Sequence, residues 1–586
     1  MRDVSSAGRN YAALPSTRWK YPALYPDTQD TLTRELRIHP VLSRVLINRS
    51  ISTPDKARKY LSPSLGDLHN PFLLKDIDKG LDRLIKAIYN REKIVIYGDY
   101  DADGITSVVI LFKFLAEFHP NVTYYIPDRL TEGYSLNISA IDRIKAEGAS
   151  LIITVDCGIS DRREISYAKS LGIDTIILDH HEIPELMPDA AAVINTNRVD
   201  CGFPFKHLAG VGIVFNFLIA LRGKLRGQGF WAMHPYPNLK EYLDLVAIGT
   251  MGDIAPMIDE NRIFTKTGLE LINQGRRVGI QALKEVSGLS KSSVDSMGAS
   301  FYLIPRINAA GRMSRASEAV ELLLADNMNE ALRLARKLDA YNRERQILEK
   351  EIFDEINMKI NEAGLLDKNH VLVFASPKWH PGIIGIVASK LADAYYRPAI
   401  LISLKEGIGK GSGRSIAEFN LHKGLSRCHS LLLTYGGHRF AAGISIEEKD
   451  IDAFSALLEE IVREDLLSMD LMPQTMIDAH CSLNEINGDL LAQFELLAPF
   501  GSMNQEPILC ARNVRISSPA VVGNNHLRMN ISGDGVSCSS IWFSKGHYVQ
   551  ALSRVELDVA FTPQINNWNG MPSIQLKMRD ISAPAL

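Results

Sequence analysis

Between residues 91 and 200, short apolar runs of strand length alternate with segments whose apolar positions recur every three or four residues. The runs at 93–97, 122–127, 151–156, 175–179 and 191–195 predict strands, and the segments at 105–118, 137–147 and 161–171 predict helices. Parallel neighbours need a crossover between them, so this alternation implies a doubly wound, mostly parallel α/β sheet. Residues 208–222 and 240–252 then read as buried helices.

Further on, Leu332, Ala335, Leu338, Tyr341, Leu348, Ile352, Ile356 and Ile360 fall at three- and four-residue steps with no Gly or Pro between them. At 1.5 Å per residue, 329–362 makes a helix of roughly 50 Å, long enough to join two domains as a strut. A second α/β pattern fills 367–465, opening with the strand Val371-Leu372-Val373-Phe374. The tail carries alternating segments at 508–517, 526–532, 536–543, 555–562 and 573–581, separated by turns such as Gly533-Asp534-Gly535 and Asn569-Gly570. Five such strands fit an OB-like β-barrel, with a sandwich as the alternative. At the other end, helical patterning over 30–61 stops at Ser62-Pro63-Ser64-Leu65-Gly66, which reads as an N-terminal extension packed on the sheet domain.

Composition narrows the class. At 586 residues the chain exceeds what one core supports. A formal charge of -3 argues against general coating of a polyanion, so any nucleic-acid contact must be a local basic groove. The six cysteines show no CxxC spacing, which suits reduced thiols in the cytoplasm. Neither an apolar leader nor a span of about 18 apolar residues is readable, so no membrane association is expected.

The chemistry sits at strand ends. Asp99-Tyr100-Asp101-Ala102-Asp103-Gly104 follows Ile94-Val95-Ile96-Tyr97, Asp156 closes Leu151-Ile152-Ile153-Thr154-Val155, and Asp179-His180-His181 closes Thr175-Ile176-Ile177-Leu178. The carboxyl ends of parallel strands share one crevice, so these groups can converge there despite their separation in sequence. Asp101 and Asp103 lie two apart in a strand-to-helix turn that Gly104 keeps tight. Carboxylates suit Mg²⁺ and Mn²⁺, and the His180 imidazole tilts the choice toward Mn²⁺. Two cations need a bridging carboxylate, for which Asp156 is the candidate. Asp253, ending an apolar helix just before Pro256, is a further candidate ligand.

These motifs resemble a known family. Gly98-Asp99-Tyr100-Asp101-Ala102-Asp103-Gly104, Val155-Asp156-Cys157-Gly158-Ile159-Ser160, Asp179-His180-His181 and Leu208-Ala209-Gly210-Val211-Gly212 are similar to the motifs of the DHH phosphoesterase superfamily. Pro305-Arg306-Ile307-Asn308-Ala309-Ala310-Gly311-Arg312, Trp379-His380-Pro381-Gly382, Gly411-Ser412-Gly413-Arg414-Ser415 and Gly436-Gly437-His438-Arg439-Phe440-Ala441-Ala442-Gly443 point within it to the bacterial single-strand-specific DNA exonucleases. The likeness runs from about residue 35 to the terminal barrel. It implies a metal-dependent 5′→3′ exonuclease that degrades single-stranded DNA to mononucleotides in recombination and repair. It also implies Asp101, Asp103, Asp156, His180 and Asp253 as ligands of a two-metal Mn²⁺ or Mg²⁺ site, and His181 as a second catalytic histidine. Smaller DHH proteins carry a ligand histidine four residues before the first DxD aspartate, where this chain has Tyr97. Asp99 either compensates for it or serves the turn.

Arginines suit the phosphates of such a substrate. Arg129 follows a strand end, Arg306, Arg312 and Arg315 cluster beyond the first unit, and Ser412 with Arg414 sits in a Gly-rich stretch able to cradle an anion. The resemblance implies that Arg129, Arg312, Ser412 and Arg414 hold the terminal phosphate. His438, His380 and Arg306 are further candidate contacts, and Trp379, Trp542 and Trp568 are candidate stacking residues. The organisation expected is a 1–90 extension, a catalytic domain at 91–328, a connecting helix at 329–366, a substrate-binding domain at 367–465 and a nucleic-acid-binding barrel at 466–586. Single-strand-binding protein and a helicase are partners implied by the likeness alone. Two other readings stand beside it: a phosphodiesterase for short oligonucleotides or cyclic dinucleotides, and a scaffold that has lost its metals. The terminal barrel speaks against the first, and the retained acids speak against the second.

Overall fold

A computed structural model describes residues 17–129, 131–133, 135–467, 474–552, 556–566 and 572–583. The chain forms two compact units, one of residues 1–67 with 472–586 and the other of residues 68–471.

The first unit begins with β1 (Arg18–Lys20) and the helices α1 (Pro26–Leu36), α2 (Pro40–Asn48) and α3 (Pro54–Leu61), each with proline in its first turn, where the missing N–H costs nothing.

The second unit opens with α4 (Ile77–Tyr89) and then runs β2 (Lys93–Gly98), α5 (Ala102–Ala116), β3 (Val122–Tyr125), α6 (Ile138–Ala146), β4 (Ala149–Val155), α7 (Arg162–Ser170), β5 (Asp174–Leu178) and β6 (Ala192–Ile194). All five strands are parallel, in the order β3-β2-β4-β5-β6. In sheets of this order the chain reverses direction between β2 and β4, which opens a crevice at their carboxyl ends. Asp99 and Asp101 follow β2, and Asp156 follows β4. Buried helices α8 (Gly210–Gly227) and α9 (Leu243–Gly252) cover α5, with α10 (Asp259–Gln274), α11 (Val278–Val286) and the single turn α12 (Ser296–Gly298) behind. Next come α13 (Ile304–Met313), α14 (Ser317–Leu324) and the 36-residue α15 (Met328–Ala363).

The first part of α15 packs on α11, α13 and α14 through Ala331, Leu334, Ala335 and Leu338. Its last part inserts Ile352, Ile356 and Ile360 into a separate core with Leu372, Val387, Leu391 and Leu401. That core belongs to the second α/β array, namely β7 (Leu372–Ser376), α16 (Ile384–Tyr395), β8 (Ala399–Lys405), β9 (Ile408–Arg414), α17 (Leu421–Arg427), β10 (Thr434–Gly437), β11 (Ala441–Glu447) and α18 (Ile451–Leu466). Its sheet is mixed, in the order β10-β11-β9-β8-β7.

The C-terminal segment returns to the first unit with β12 (Gln474–Met476), β13 (Ala479–His480), α19 (Gly488–Glu495) and the barrel strands β14 (Leu509–Val522), β15 (His526–Gly533), β16 (Val536–Trp542), β17 (Glu556–Asn566) and β18 (Ser573–Ser582). β14 pairs with both β15 and β17, which closes the five strands and decides for a barrel over a sandwich.

One expectation is corrected here. Leu32, Leu42, Val45 and Leu46, expected to cover the sheet domain, share a core with Leu490, Phe494, Leu509 and Phe561 of their own unit. Residues 68–471, including α4 against β6, belong with the parallel sheet. Among the described residues no helix is long and apolar enough to cross a membrane.

Candidate metal centre and phosphate pocket

Asp101 caps α5, its Oδ1 accepting from the backbone N–H of Asp103 at 2.9 Å and of Gly104 at 3.1 Å. That fixes the turn and sends Asp103 inward, where it is 1% exposed. Its two oxygens accept from Gly210 N at 2.7 Å and Val211 N at 2.8 Å, the first donors of α8. Gly210 is required by this approach, since a Cβ there would lie 2.9 Å from the Asp156 side chain and 3.1 Å from Asp103 Oδ2.

Asp156, at φ +60, stands in the left-handed region just past β4. Its Oδ1 lies 3.0 Å from His180 Nε2, out of line for a hydrogen bond, and has no hydrogen-bond partner. His180 Nε2 is 3.9 Å from Asp103 Oδ2, and its Nδ1 is 3.8 Å from Asp253 Oδ2. Asp253 caps the C-terminus of α9. Asn197 and Asn195 donate to the carbonyls of His180 and His181 at 2.6 Å and 2.9 Å and anchor the pair. Asp179 does not face the cluster. It accepts from Ile159 N, His181 N and His181 Nδ1 at 3.0, 3.1 and 2.7 Å, and so orients His181.

The electrostatics follow from acids crowded away from water. Burial, then Asp253 and Asp101, push the Asp103 carboxyl up to about 7 against the pull of His180 and the Val211 N–H. Asp99 and Asp156 are raised well above the usual carboxylate range, each by burial first and neighbouring aspartates next. Asp253 is raised by burial and Asp101. Burial also opposes the charged His180, but Asp253 and Asp103 outweigh it and raise its affinity for a proton. For His181 the Asp179 hydrogen bond overcomes burial and lifts the imidazole to about 9. Burial likewise works to raise Asp179, and its bonds from His181 reverse the direction.

Three sets of ligand atoms each lie within 4.8 Å of one another: Asp99, Asp101 and Asp156; Asp103, His180 and Asp253; and Asp156, His180 and His181. The unpartnered buried oxygens of Asp156 and Asp99 are acceptors facing acceptors, an arrangement that a divalent cation satisfies. An oxygen-rich set with imidazole fits Mg²⁺ or Mn²⁺.

A cationic pocket is built from the sheet domain, α13 and the second α/β array. Arg129 lies 5.0 Å over the Tyr100 ring. Burial first and Arg129 second push the Arg312 guanidinium down to about 10, and lower Arg414 and His380 as well. Arg312 donates to Gly382 O at 3.1 Å, and Arg414 to Ser412 Oγ at 3.2 Å and Gly413 O at 2.8 Å. His438 Nδ1 sits 3.2 Å from Glu182, the residue after His181.

Three candidates belong to packing instead. The Arg306 guanidinium donates to Asp339 on α15 and to Tyr302 O, so it braces the long helix rather than offering itself to a phosphate. Trp379 is 3% exposed and donates to Glu355 on α15. Trp542, 4% exposed, stacks on Tyr548 in the barrel core, and Trp568 lies outside the described residues. Conversely, Asn308 Oδ1, at 2.8 Å from Ala102 N, holds the first turn of α5 from α13, a role its place beside Arg306 and Arg312 did not reveal.

Comparison with known proteins bears on this geometry. The DHH family N-terminal domain matches residues 93–250, the DHHA1 domain 368–464 and the RecJ OB domain 477–580. The single-stranded-DNA-specific exonuclease RecJ of Bacillus subtilis (strain 168) is 38% identical over 570 residues, 96% of this chain and 70% of that protein. The chain belongs to the RecJ family. RecJ of Thermus thermophilus crystallised with Mn²⁺ shares the fold at a TM-score of 0.82, with 28% identity over 97% of this chain and 80% of that one. Its complex with Mg²⁺ gives 0.75 at 27% identity, covering 97% and 79%. Within this RecJ frame, Tyr97 is a packing residue. Its ring stacks on Tyr125 at 5.3 Å and its hydroxyl donates to Ser135 O at 3.0 Å.

Proposed function

We propose that this RecJ-family chain is a metal-dependent 5′→3′ exonuclease that degrades single-stranded DNA to mononucleotides by two-metal phosphodiester hydrolysis, in DNA recombination and repair. What carries the reading is one juxtaposition: buried acceptors without partners at the carboxyl ends of β2 and β4, with His180 after β5 beside them, and buried guanidiniums nearby. Asp101, Asp103, Asp156, His180 and Asp253 hold the divalent cations, with Asp156, common to two of the clusters, as the bridge. Such cations supply a nucleophilic water near neutral pH and counter-charge for the phosphoryl oxygens.

The chain's own residues do the rest. Arg129, Arg312, Arg414 and Ser412 take the 5′ phosphate, whose charge relieves their mutual repulsion. Asp179 holds His181 by Nδ1, so Nε2 is the nitrogen that serves the scissile group, and at about 9 the imidazolium can donate to a phosphoryl or leaving oxygen. His380 and His438 flank the strand from the second array, and the OB barrel adds a further surface for single strands. Free cysteines and a nucleic-acid substrate support a cytoplasmic location, and the family likeness supports single-strand-binding protein and a helicase as partners.

The test is release of mononucleotides from a 5′-labelled single strand in Mn²⁺. Asp156→Ala should abolish it, and Arg414→Ala should raise KM for 5′-phosphorylated strands roughly 10–100-fold, the worth of a charged bidentate contact. Cleavage of dinucleotides but not of longer strands would replace the exonuclease with a dinucleotide phosphodiesterase.

A further inference from the structure

Helix α9 ends in a turn that glycine ordinarily closes. Ile254 N donates to Met251 O and Ala255 N to Thr250 O, each at 3.2 Å, the paired bonds of a Schellman motif, and Ile254 stands at φ +57 in its left-handed position. A β-branched side chain is strained there and glycine is not. Nor does packing offset the strain, since Ile254 is 73% exposed. It follows directly on Asp253, whose Oδ2 lies 3.8 Å from His180 Nδ1.

A second exposed apolar group lies on the adjoining turn. The π-turn Ala299–Leu303 packs on α9 and runs straight into α13, and a Cβ at Gly252 would lie 3.6 Å from the Ile304 side chain. Phe301, within that π-turn, is 67% exposed. The turn is braced, because Tyr302 O accepts from Arg306 Nη1 at 2.6 Å and from Ser287 Oγ at 3.3 Å, and Asp339 fixes Arg306. Wide turns of this kind recur at functional sites. Residues 301, 305, 308 and 312 follow at steps of four, three and four, so Phe301 shares a face of α13 with Asn308, which bonds Ala102 N, and with Arg312 of the phosphate pocket. The wider winding through Leu303 rotates Phe301 from that line by less than a quarter turn. Phe301 thus lies about 16 Å along the face from Arg312, with the metal-bearing turn of α5 between them.

We propose that Ile254 and Phe301 form an apolar clamp on the bases of the strand just 3′ of the scissile phosphate, gripping it while Arg312 holds its 5′ end. The inference rests on the exonuclease reading and adds to it a requirement for bases. Base faces are the apolar part of a single strand, and contact with them is tolerant of sequence. A protein partner would also cover apolar groups, but these two continue the line of the phosphate pocket and the metal centre.

The experiment measures kcat and KM of the full chain in Mn²⁺ on a 5′-phosphorylated single strand, and on the same strand with abasic residues at its second to fourth positions. On the first strand Phe301→Ala should raise KM about 5–100-fold with kcat within about threefold, and Phe301→Trp should restore it. The abasic strand should raise the wild-type KM by a similar factor and that of Phe301→Ala little further, a cross-effect that lost packing alone would not produce. Ile254→Asn should raise KM likewise yet raise Tm in chelator by about 1–2 °C, because asparagine accepts the left-handed backbone. The proposal is overturned if Phe301→Ala keeps the wild-type KM, if Ile254→Asn lowers Tm, or if the abasic strand penalises Phe301→Ala as heavily as the wild type. A wild type that releases no mononucleotide from any strand would instead overturn the exonuclease reading, and this inference with it.

Discussion

Asp156→Asn should make the metal-free protein more stable and the enzyme inactive. Asp156 shares one group of ligand atoms, all within 4.8 Å, with Asp99 and Asp101. At that separation and an effective dielectric of 20, two carboxylates repel by about 3 kcal/mol. Partial protonation and the nearby His180 reduce this, leaving about 1–3 kcal/mol to be recovered when one charge is removed. Asparagine suits the position for two reasons. It tolerates the left-handed φ of +60, and its amide can donate to His180 Nε2 or Asp103, where the carboxylate Oδ1 finds no donor. In a unit of this size the gain corresponds to roughly 1–4 °C in Tm. Saturating Mn²⁺ should reverse the ranking, since binding at about 100 times Kd adds about 2.7 kcal/mol to the wild type alone. Differential scanning calorimetry in chelator and in Mn²⁺, with exonuclease rates alongside, makes the check. A variant less stable than wild type in chelator, or one keeping more than about a hundredth of the wild-type rate, would refute the picture of like charges held together for a cation.

Two further outcomes follow from the same geometry. Gly210→Ala drives a Cβ to 2.9 Å from Asp156, so kcat should fall about 10–100-fold for a stability cost of about 1–3 kcal/mol, read by steady-state kinetics and urea unfolding. His181, raised to about 9 by Asp179, contributes stability that is full below its ordinary value near 6.5 and lost as pH rises through 9. Because its side chain is 37% exposed, the loss should be about 1 kcal/mol rather than the roughly 3 kcal/mol of the full shift, and His181→Ala should flatten it in chelator.

The sheet domain was legible because its signals are local. Apolar runs bounded by Asp99, Asp156 and Asp179 announce both the strands and their functional ends, and parallel topology then forces the ends together. What stayed hidden depends on partners distant in sequence. Nothing near Arg306 announces Asp339, and nothing near Ala102 announces Asn308. The stripe on α2 shows that a face is buried but not against what, so residues 17–67 read as part of the nearer domain when they complete the far one. Trp542 shows the same limit, since an aromatic in a strand reads alike whether it stacks on a base or on Tyr548.

Along α15 the buried positions change character. Leu338 is the last buried apolar residue of one core and Ile352 the first of the next, while Asp339, Asn342 and Glu349 are the buried positions between. Arg345 on this stretch bonds Asn342 and Glu349, and Lys390 of α16 reaches the same Glu349. Because an α-helix barely compresses, the separation of the two anchors is a count of residues, about 21 Å over those fourteen steps. The spacing of the two cores is thus fixed at translation, like the jaw of a spanner rather than a closing hand. Adding or removing two whole turns, which keeps both anchor faces in register, would change that spacing without touching a catalytic side chain.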